Sequence, residues 1–184
     1  MDRAAAVLLV EEHVENENLV RHMLATEAVM RALALRLGEN EAQWAHAGLL
    51  HDLDVEQTAD AMEIHGRQTV AMLRDAGLDD EAVLQAILSH NPANGSVIAS
   101  RLDRALFVAD PLTGLITAAA LIRPEKQLAL VELKSLRKRF KEPSFAKGAR
   151  REDMLTCDEL GLTLDEFLAL GLDAMKGISA DLGL

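Results

Sequence analysis

A chain of 184 residues, 49% of them hydrophobic, can bury a full core as one domain and is not composed like a disordered protein. The net charge of −11 at pH 7 argues against a surface that binds nucleic acid generally, although it leaves room for a local anion site. The only cysteine, Cys157, rules out an internal disulfide and is typical of a protein from the reducing cytoplasm, where we expect this one.

The chain is predicted to be helical throughout, because apolar residues recur at helical spacing and aromatic residues are scarce. The apolar residues 4–10 are followed by an acidic stretch without a cleavage site, so we predict no secretion signal. Residues 18–37 form the first strongly periodic helix. Asn16 or Asn18 can cap its start, and Gly38 is expected to end it.

Three shorter segments carry the next predicted helices. One runs over about residues 41–53, and its last turn is expected to aim polar side chains into a cleft. Another begins near His65 and ends at Gly77. A third is capped by Asp79 or Asp80 and is followed by a loop.

A long apolar helix is predicted to start near Ser100. The apolar residues 106–122 are interrupted and slightly short for a membrane span, so we interpret them as a buried helix. Proline lacks the backbone donor and disfavours helical geometry at the preceding residue. We therefore expect a kink or break at Asp110-Pro111.

The last third of the chain is also predicted to be helical. Residues 125–141 read as a charged amphipathic helix and residues 142–148 as a turn-rich link. A final helix is expected near Thr163, where Thr163 and Glu166 have the spacing of a capping box.

No repeat, low-complexity tract or strong boundary divides the sequence. We therefore predict a single all-α domain over residues 1–184. Its core is expected over about residues 18–122, and an integral helical extension over about residues 123–184.

Candidate metal ligands lie along the chain in an ordered, widely spaced series. Histidine and aspartate are ligands for divalent cations with hydrolytic chemistry. A single histidine on an apolar helix face is usually a core residue with a satisfied hydrogen bond, but such a series is harder to explain in that way. One ion could be held by four of these residues and a second by two, with the carboxylate of Asp52 between them. The proposed sets are His22, His51, Asp52 and Asp110, and then His65 and His90.

Other sites of hydrolytic chemistry are not indicated. The spacing is neither that of a zinc finger nor the His-Glu-x-x-His pattern of metalloproteases. Cys157 lies beside two acidic residues, which would raise rather than lower its pKa. His13 is expected to face solvent. His46 is expected either to have a structural role or to contact a metal ligand without binding the ion itself.

The ligand series resembles that of the HD-domain superfamily of metal-dependent phosphohydrolases. The likeness covers about residues 19–122 and is carried by the segments RHMLATEAVMRALA, AGLLHDLD and ADPLTGLI. It implies an HD-type helical bundle that binds a catalytic cation, and the histidines at 65 and 90 resemble the variant with two metals, bridged by the aspartate. One or two ions are expected, among manganese, iron, zinc, nickel and magnesium, and the histidine content favours the transition metals.

Two features depart from related subgroups. Asp54 stands where a common motif, His-Asp-apolar-Gly, has glycine. It is expected either to orient His51 or a metal-bound water, or to be an exposed carboxylate at a helix end. No lysine follows the His-Asp pair closely, whereas cyclic-dinucleotide phosphodiesterases of the superfamily usually have one, so that substrate is not indicated.

Basic residues suggest how a phosphorylated substrate is bound. Residues 137–151 contain seven basic residues and one acidic residue in an otherwise acidic chain. This segment is either a solvated helix face and loop or a lobe that attracts phosphate. Arg67, two residues after His65, is a further candidate. The candidates in the basic segment are Arg137, Lys138, Lys141 and Lys147.

The expected activity is hydrolysis of a phosphate ester or anhydride in a small soluble molecule, such as a nucleotide. Asp52 and His51 are the predicted catalytic residues, because the cation they hold would activate water and polarise the phosphoryl group. The alternative is a non-catalytic, metal-dependent nucleotide-binding or sensor protein. We expect a small phosphorylated substrate, no nucleic-acid duplex and no membrane as partner, and the sequence leaves the oligomeric state open.

Overall fold

The computed structural model describes all 184 residues and contains α-helices, short 3-10 turns and no strand, which confirms the predicted all-α class. The helices are joined by short connections. They are α1 (Arg3–His13), α2 (Glu17–Leu37), α3 (Glu41–Leu50), α4 (Val55–Thr58), α5 (Arg67–Asp75), α6 (Glu81–Ser89), α7 (Arg101–Leu121), α8 (Leu133–Phe140), α9 (Arg151–Leu155), α10 (Leu164–Gly177) and α11 (Ser179–Leu182).

Side-chain caps fix where several helices begin. Asn16 caps α2 by accepting from the backbone N–H of Asn18, so Asn18 lies inside the helix. Asp80 caps α6 in the same way. The predicted capping box of α10 is present between Thr163 and Glu166. These local signals act within one helical turn, which is why the sequence locates them well.

Helix α3 ends earlier than predicted, at Leu50, and His51 is its C-cap residue. Asp52 therefore lies just beyond the helix rather than in its last turn. This places two neighbouring side chains where the backbone is leaving helical geometry, so both can face the same point.

Of the predicted kink or break at Pro111, the break is wrong, because α7 runs continuously from Arg101 to Leu121 with Pro111 inside it, and the kink stays a prediction. Proline in a helix interior costs about 3 kcal/mol or more. Helix α7 buries many apolar side chains, among them Leu106, Leu112 and Ile116, each fully buried. Burial of one such side chain contributes about 1.5–3 kcal/mol, so packing outweighs the cost of the proline.

Helix α7 is also long and apolar enough to cross a membrane, but 67% of its most apolar window is buried inside the protein. It packs against α2, α6, α9 and α10. The prediction of a buried helix in this region is confirmed.

The predicted helix over residues 125–141 is only half correct. Its first part is a turn followed by a 3-10 segment, Leu128–Leu130, and α8 covers only Leu133–Phe140. Lys126 has a positive φ of 52°, and the side chains of Leu128 and Val131 are buried. Burial of these two residues draws the segment into the core in a non-helical conformation.

One continuous cluster of 44 buried hydrophobic residues forms the core, extending from Ala6 to Leu182. Within it α2 and α3 pack closely at Gly48, where a Cβ atom would lie 2.8 Å from the carbonyl oxygen of Thr26. Only glycine allows this approach. The contact holds the segment with His22 against the segment with His51.

Candidate metal centre

The six predicted ligands are brought to one region from five separate segments. Most lie at helix ends: His51 and Asp52 follow α3, His65 precedes α5, and His90 follows α6. Their side chains are buried. The remaining two, His22 in α2 and Asp110 in α7, lie within helices and are partly exposed at the edge of the cluster.

Asp52 stands between two groups of histidine nitrogens. Its Oδ2 lies 3.4 Å from Nε2 of His51 and 3.6 Å from Nε2 of His22. Its Oδ1 lies 3.2 Å from Nε2 of His65 and 3.3 Å from Nε2 of His90. Each group has its donor atoms within 4.8 Å of one another and could hold a metal ion. The two carboxylate oxygens therefore face two different candidate sites.

Asp110 extends the first group. Its Oδ1 lies 3.2 Å from Nε2 of His22, and its Oδ2 lies 3.2 Å from a guanidinium nitrogen of Arg150. The first candidate site is thus formed by His22, His51, Asp52 and Asp110, and the second by Asp52, His65 and His90. His13 and His46 belong to neither group.

Backbone carbonyls fix the proton on two of the rings. Nδ1 of His51 lies 2.9 Å from the carbonyl oxygen of Gly48, and Nδ1 of His90 lies 2.5 Å from that of Ile87. A carbonyl oxygen can only accept, so Nδ1 carries the hydrogen in both rings. When the rings are neutral, each Nε2 atom therefore has a lone pair that is free to bind a metal ion.

The same assignment follows for His22 through Thr113. The Thr113 hydroxyl donates to the carbonyl oxygen of Asp110 at 2.8 Å, so it must accept from Nδ1 of His22 at 2.9 Å. A ligating histidine generally donates its other N–H to an acceptor that fixes its orientation. The rings of His22, His51 and His90 all meet this condition.

Asp54 fixes the fourth ring. Its Oδ1 accepts from Nδ1 of His65 at 2.7 Å, and its Oδ2 accepts from the backbone N–H of Gly66 at 2.8 Å and of Thr69 at 3.1 Å. Asp54 is completely buried, so the expectation of an exposed carboxylate is wrong, and the residue it orients is His65 rather than His51. Gly66, the N-cap residue before α5, has a φ of 85°, which allows its N–H to point at this carboxylate.

The spacing of the free nitrogens suits a bound cation. Nε2 of His22 lies 3.2 Å from Nε2 of His51, and Nε2 of His65 lies 3.1 Å from Nε2 of His90. With both hydrogens on Nδ1, neither pair can form a hydrogen bond, so two lone pairs face each other. Two nitrogens bound to one ion at about 2.1 Å with near-tetrahedral or octahedral angles lie about 3.0–3.4 Å apart. The donor set therefore fits one ion in each group.

The carboxylates also make the cluster attractive to cations. Burial by itself lowers the pKa of His65, but hydrogen bonds and charge from Asp52 and Asp54 outweigh burial and raise that pKa to about 9. Burial opposes protonation of His22 too, yet Asp110 and Asp52 raise its pKa. Burial raises the pKa of Asp52, but the charge and hydrogen bonds of the surrounding histidines hold it well below its usual value. In the absence of metal, these raised pKa values favour protonation of His22 and His65.

The predicted phosphate-binding residues lie at different distances from this cluster. Lys147 lines a cleft that His22 also lines, and Lys141 lines a neighbouring cleft. Arg137 instead forms an ion pair with Asp165 at 2.5 Å, and Lys138 is exposed on α8. Arg67 is exposed and donates to the carbonyl oxygen of Asn94 at 2.6 Å. Of these residues, only Lys147 lines a cleft that a candidate ligand also lines.

The basic segment reaches the cluster most directly through Arg150, which was not among the predicted residues. Its guanidinium binds Asp110 and Asp153 and lies 6.0 Å from the centre of the Phe107 ring. The charge of the segment was visible in the sequence. Which of its seven basic residues meets Asp110 depends on the path of the link before α9.

A family model for the HD domain matches residues 19–115, which is more than half of the chain. The chain belongs to the HD-domain family. Members of this family are generally metal-dependent hydrolases, and the two histidine and aspartate groups of this HD domain fit that chemistry. Neither the search of curated proteins nor the search of solved structures finds a match.

Proposed function

We propose that this HD domain is a phosphohydrolase that uses two divalent cations to cleave a phosphate ester or anhydride in a small soluble molecule, a nucleotide. The observation that carries the proposal is the position of Asp52, whose two oxygens face two separate histidine pairs. A carboxylate in this position can bridge two ions. Paired metal ions about 3.5–4 Å apart are a recurrent device for in-line displacement at phosphorus.

Each residue has a defined role in this proposal. His22, His51 and Asp110 would hold one ion, His65 and His90 would hold the other, and Asp52 would be a ligand of both. When bound, such cations stabilise the charge on the phosphoryl oxygens and lower the pKa of water. The four Nδ1 hydrogen bonds orient the rings so that their Nε2 atoms point inward, and little reorganisation accompanies the reaction. Manganese, iron, zinc, nickel and magnesium are the candidate metals, and the histidine content favours the transition metals.

Cationic side chains beside the first candidate site support a phosphorylated substrate. Lys147 lines both the cleft next to His22 and a second cleft of about 510 Å³ that Lys141 and Arg150 also line. In a chain with a net charge of −11, this is where an anion would be attracted. We propose that Lys147 and Arg150 contact the phosphate groups, with Arg67, Arg137, Lys138 and Lys141 further from the reacting atoms.

The activity test is phosphate release from a panel of nucleoside monophosphates, cyclic nucleotides and dinucleoside polyphosphates, with manganese, nickel or iron added. Elemental analysis of protein purified without chelator gives the metal content beside it. We expect turnover of at least one class and close to two ions per chain, with both lost in Asp52→Ala. A ratio near one would remove the two-metal form.

The same assay separates the enzyme from the alternative, a metal-dependent nucleotide-binding or sensor protein. Tight binding of a nucleotide to the metal-loaded protein, without phosphate release anywhere in the panel, would favour the sensor. Phosphate release that disappears in Asp52→Ala would favour the enzyme.

A further inference from the structure

A cleft of about 540 Å³ opens beside His22, which forms part of its lining. It lies between the start of α2, one face of α7, the loop at residues 146–149 and the segment 182–184. Its size falls within the range of small-molecule binding sites. Since His22 belongs to the first candidate metal site, anything bound in this cleft adjoins that site.

One wall of the cleft is formed by α7 residues Gly114, Thr117, Ala118 and Leu121, which share a helix face because they are spaced by three and four residues. Gly114 follows Asp110 by one helical turn, so the wall continues from the candidate ligand. The side chains at the inner end are small. The wall is mainly apolar, which suits the uncharged part of a ligand rather than its phosphate.

Helix packing does not explain the glycine at position 114. A Cβ atom built on Gly114 meets no atom within 4 Å, whereas one on Gly171 would lie 2.4 Å from a side-chain carbon of Leu112. Glycine destabilises a helix interior relative to alanine. Gly171 is needed for close packing of two helices, but Gly114 only leaves the cleft open.

The opposite wall is a loop held in place by Arg151. Its guanidinium donates to the carbonyl oxygens of Phe145, Ala146 and Ala149, at 2.5 Å for Ala146 and 2.6 Å for Ala149. The loop presents Lys147 to the cleft. Unlike Arg150, which is bound by two carboxylates, Lys147 takes part in no ion pair, so its charge is available to a phosphate group.

We infer that this cleft binds the organic part of the substrate, an uncharged group the size of a nucleoside, and that Gly114 sets the size that can enter. The inference rests on the proposed function. The phosphoryl group lies toward His22 and Asp110, Lys147 pairs with its charge, and the organic group lies along α7 between Gly114 and Leu121. A larger side chain at position 114 blocks that path without replacing a candidate metal ligand.

The test compares wild type with Gly114→Leu, and the matched control is Gly177→Leu. Gly177 is an exposed helical glycine whose Cβ would also meet no atom within 4 Å, and it does not line the cleft. The probes are the four nucleoside 5′-methylenephosphonates, whose P–C bond resists hydrolysis, and methylphosphonate, which has the anionic group alone. Binding to manganese-loaded protein is measured by calorimetry, so the result does not depend on turnover.

We expect at least one nucleoside probe to bind wild type and Gly177→Leu equally, and to bind Gly114→Leu at least tenfold more weakly. Methylphosphonate should bind all three proteins within twofold, and metal content should not change. The inference is overturned if no nucleoside probe binds wild type, if Gly114→Leu binds it normally, or if both classes of probe weaken together. Nucleoside binding that is sensitive to Gly114, with no phosphate release from any substrate, would instead overturn the proposed function alone.

Discussion

The two halves of the candidate metal centre differ in how their histidines are held. In the first half, which comprises His22, His51 and Asp110, the rings donate to a hydroxyl and a backbone carbonyl, and the His22 side chain is 21% exposed beside the large cleft. In the second half, His65 donates to the buried carboxylate of Asp54, and its side chain is only 4% exposed. The first half is therefore called the open half, and the second the enclosed half.

The largest effect should come from the residue common to both halves. Asp52→Ala removes the one ligand that both groups share, so metal content should fall from about two ions to near zero. Phosphate release should fall about 10³-fold or more, because metal ions contribute several kcal/mol to stabilising the transition state and about 1.4 kcal/mol corresponds to tenfold in rate. Elemental analysis and a phosphate assay measure the two quantities.

The control for that variant is Asp75→Ala, which removes an exposed carboxylate at the end of α5. It should keep full metal content and activity. If Asp52→Ala retained both ions, Asp52 would not be a required ligand of either ion.

Removing the charge of Asp54, which contacts His65 in the enclosed half, should lower the metal affinity of that half alone. Asp54→Asn weakens the acceptor that orients His65, so affinity for one of the two ions should fall about 10–100-fold, the usual cost of losing such a supporting contact. The other ion should bind as before. Metal titration against a competing chelator resolves the two classes of site, and Asp60→Asn, an exposed neighbour, is the control. Equal weakening of both ions would contradict the division into two halves.

Removing the Nδ1 partner of His22 in the open half should have a smaller effect on metal affinity. Thr113→Val keeps the side-chain volume but removes the acceptor for Nδ1 of His22. Because the lost partner is a neutral hydroxyl rather than a carboxylate, we expect a loss of about tenfold or less in affinity for the first ion only. Thr117→Val, on the same helix but without a hydrogen bond to His22, should bind both ions normally. If Thr113→Val weakened the second ion, or weakened the first by more than Asp54→Asn weakens the second, the proposed difference between the two halves would be wrong.

The smallest effect concerns pH in the metal-free protein. The pKa of His65 is raised from 6.5 to about 9, opposed by burial but driven by Asp52 and Asp54. A raised histidine pKa stabilises the folded state fully below pH 6.5, and this contribution is lost as pH rises toward 9. Protein treated with chelator should therefore become less stable over this window, as followed by thermal melting.

Metal should reverse this pH trend, because cations and protons compete for the same Nε2 atoms. Manganese affinity should increase as pH rises toward 9, and the metal-loaded protein should gain stability relative to the metal-free protein. A metal affinity independent of pH between 6.5 and 9 would show that His65 does not bind the ion.

Local signals predicted the start of α2 at Asn16 or Asn18, of which Asn16 is the cap, and the capping box at Thr163, because the atoms involved lie within four residues of one another. The types of candidate ligand were also evident, since histidine and aspartate carry the same chemistry wherever they are placed. The continuity of α7 through Pro111 could not be predicted, because it depends on burial against other helices. The non-helical segment around Leu128 has the same cause.

The sequence by itself determined an all-helical chain, its membership of the HD-domain family and the set of six residues that the structure gathers together. Only the tertiary structure decided that the two oxygens of Asp52 face different histidine pairs, that Asp54 supports His65, and that Arg150 is the basic residue that meets Asp110. Helix caps and ligand chemistry are local properties of residues. The direction of a carboxylate and the partner of an arginine are set by how distant segments pack, and one sequence does not encode that packing in any short pattern.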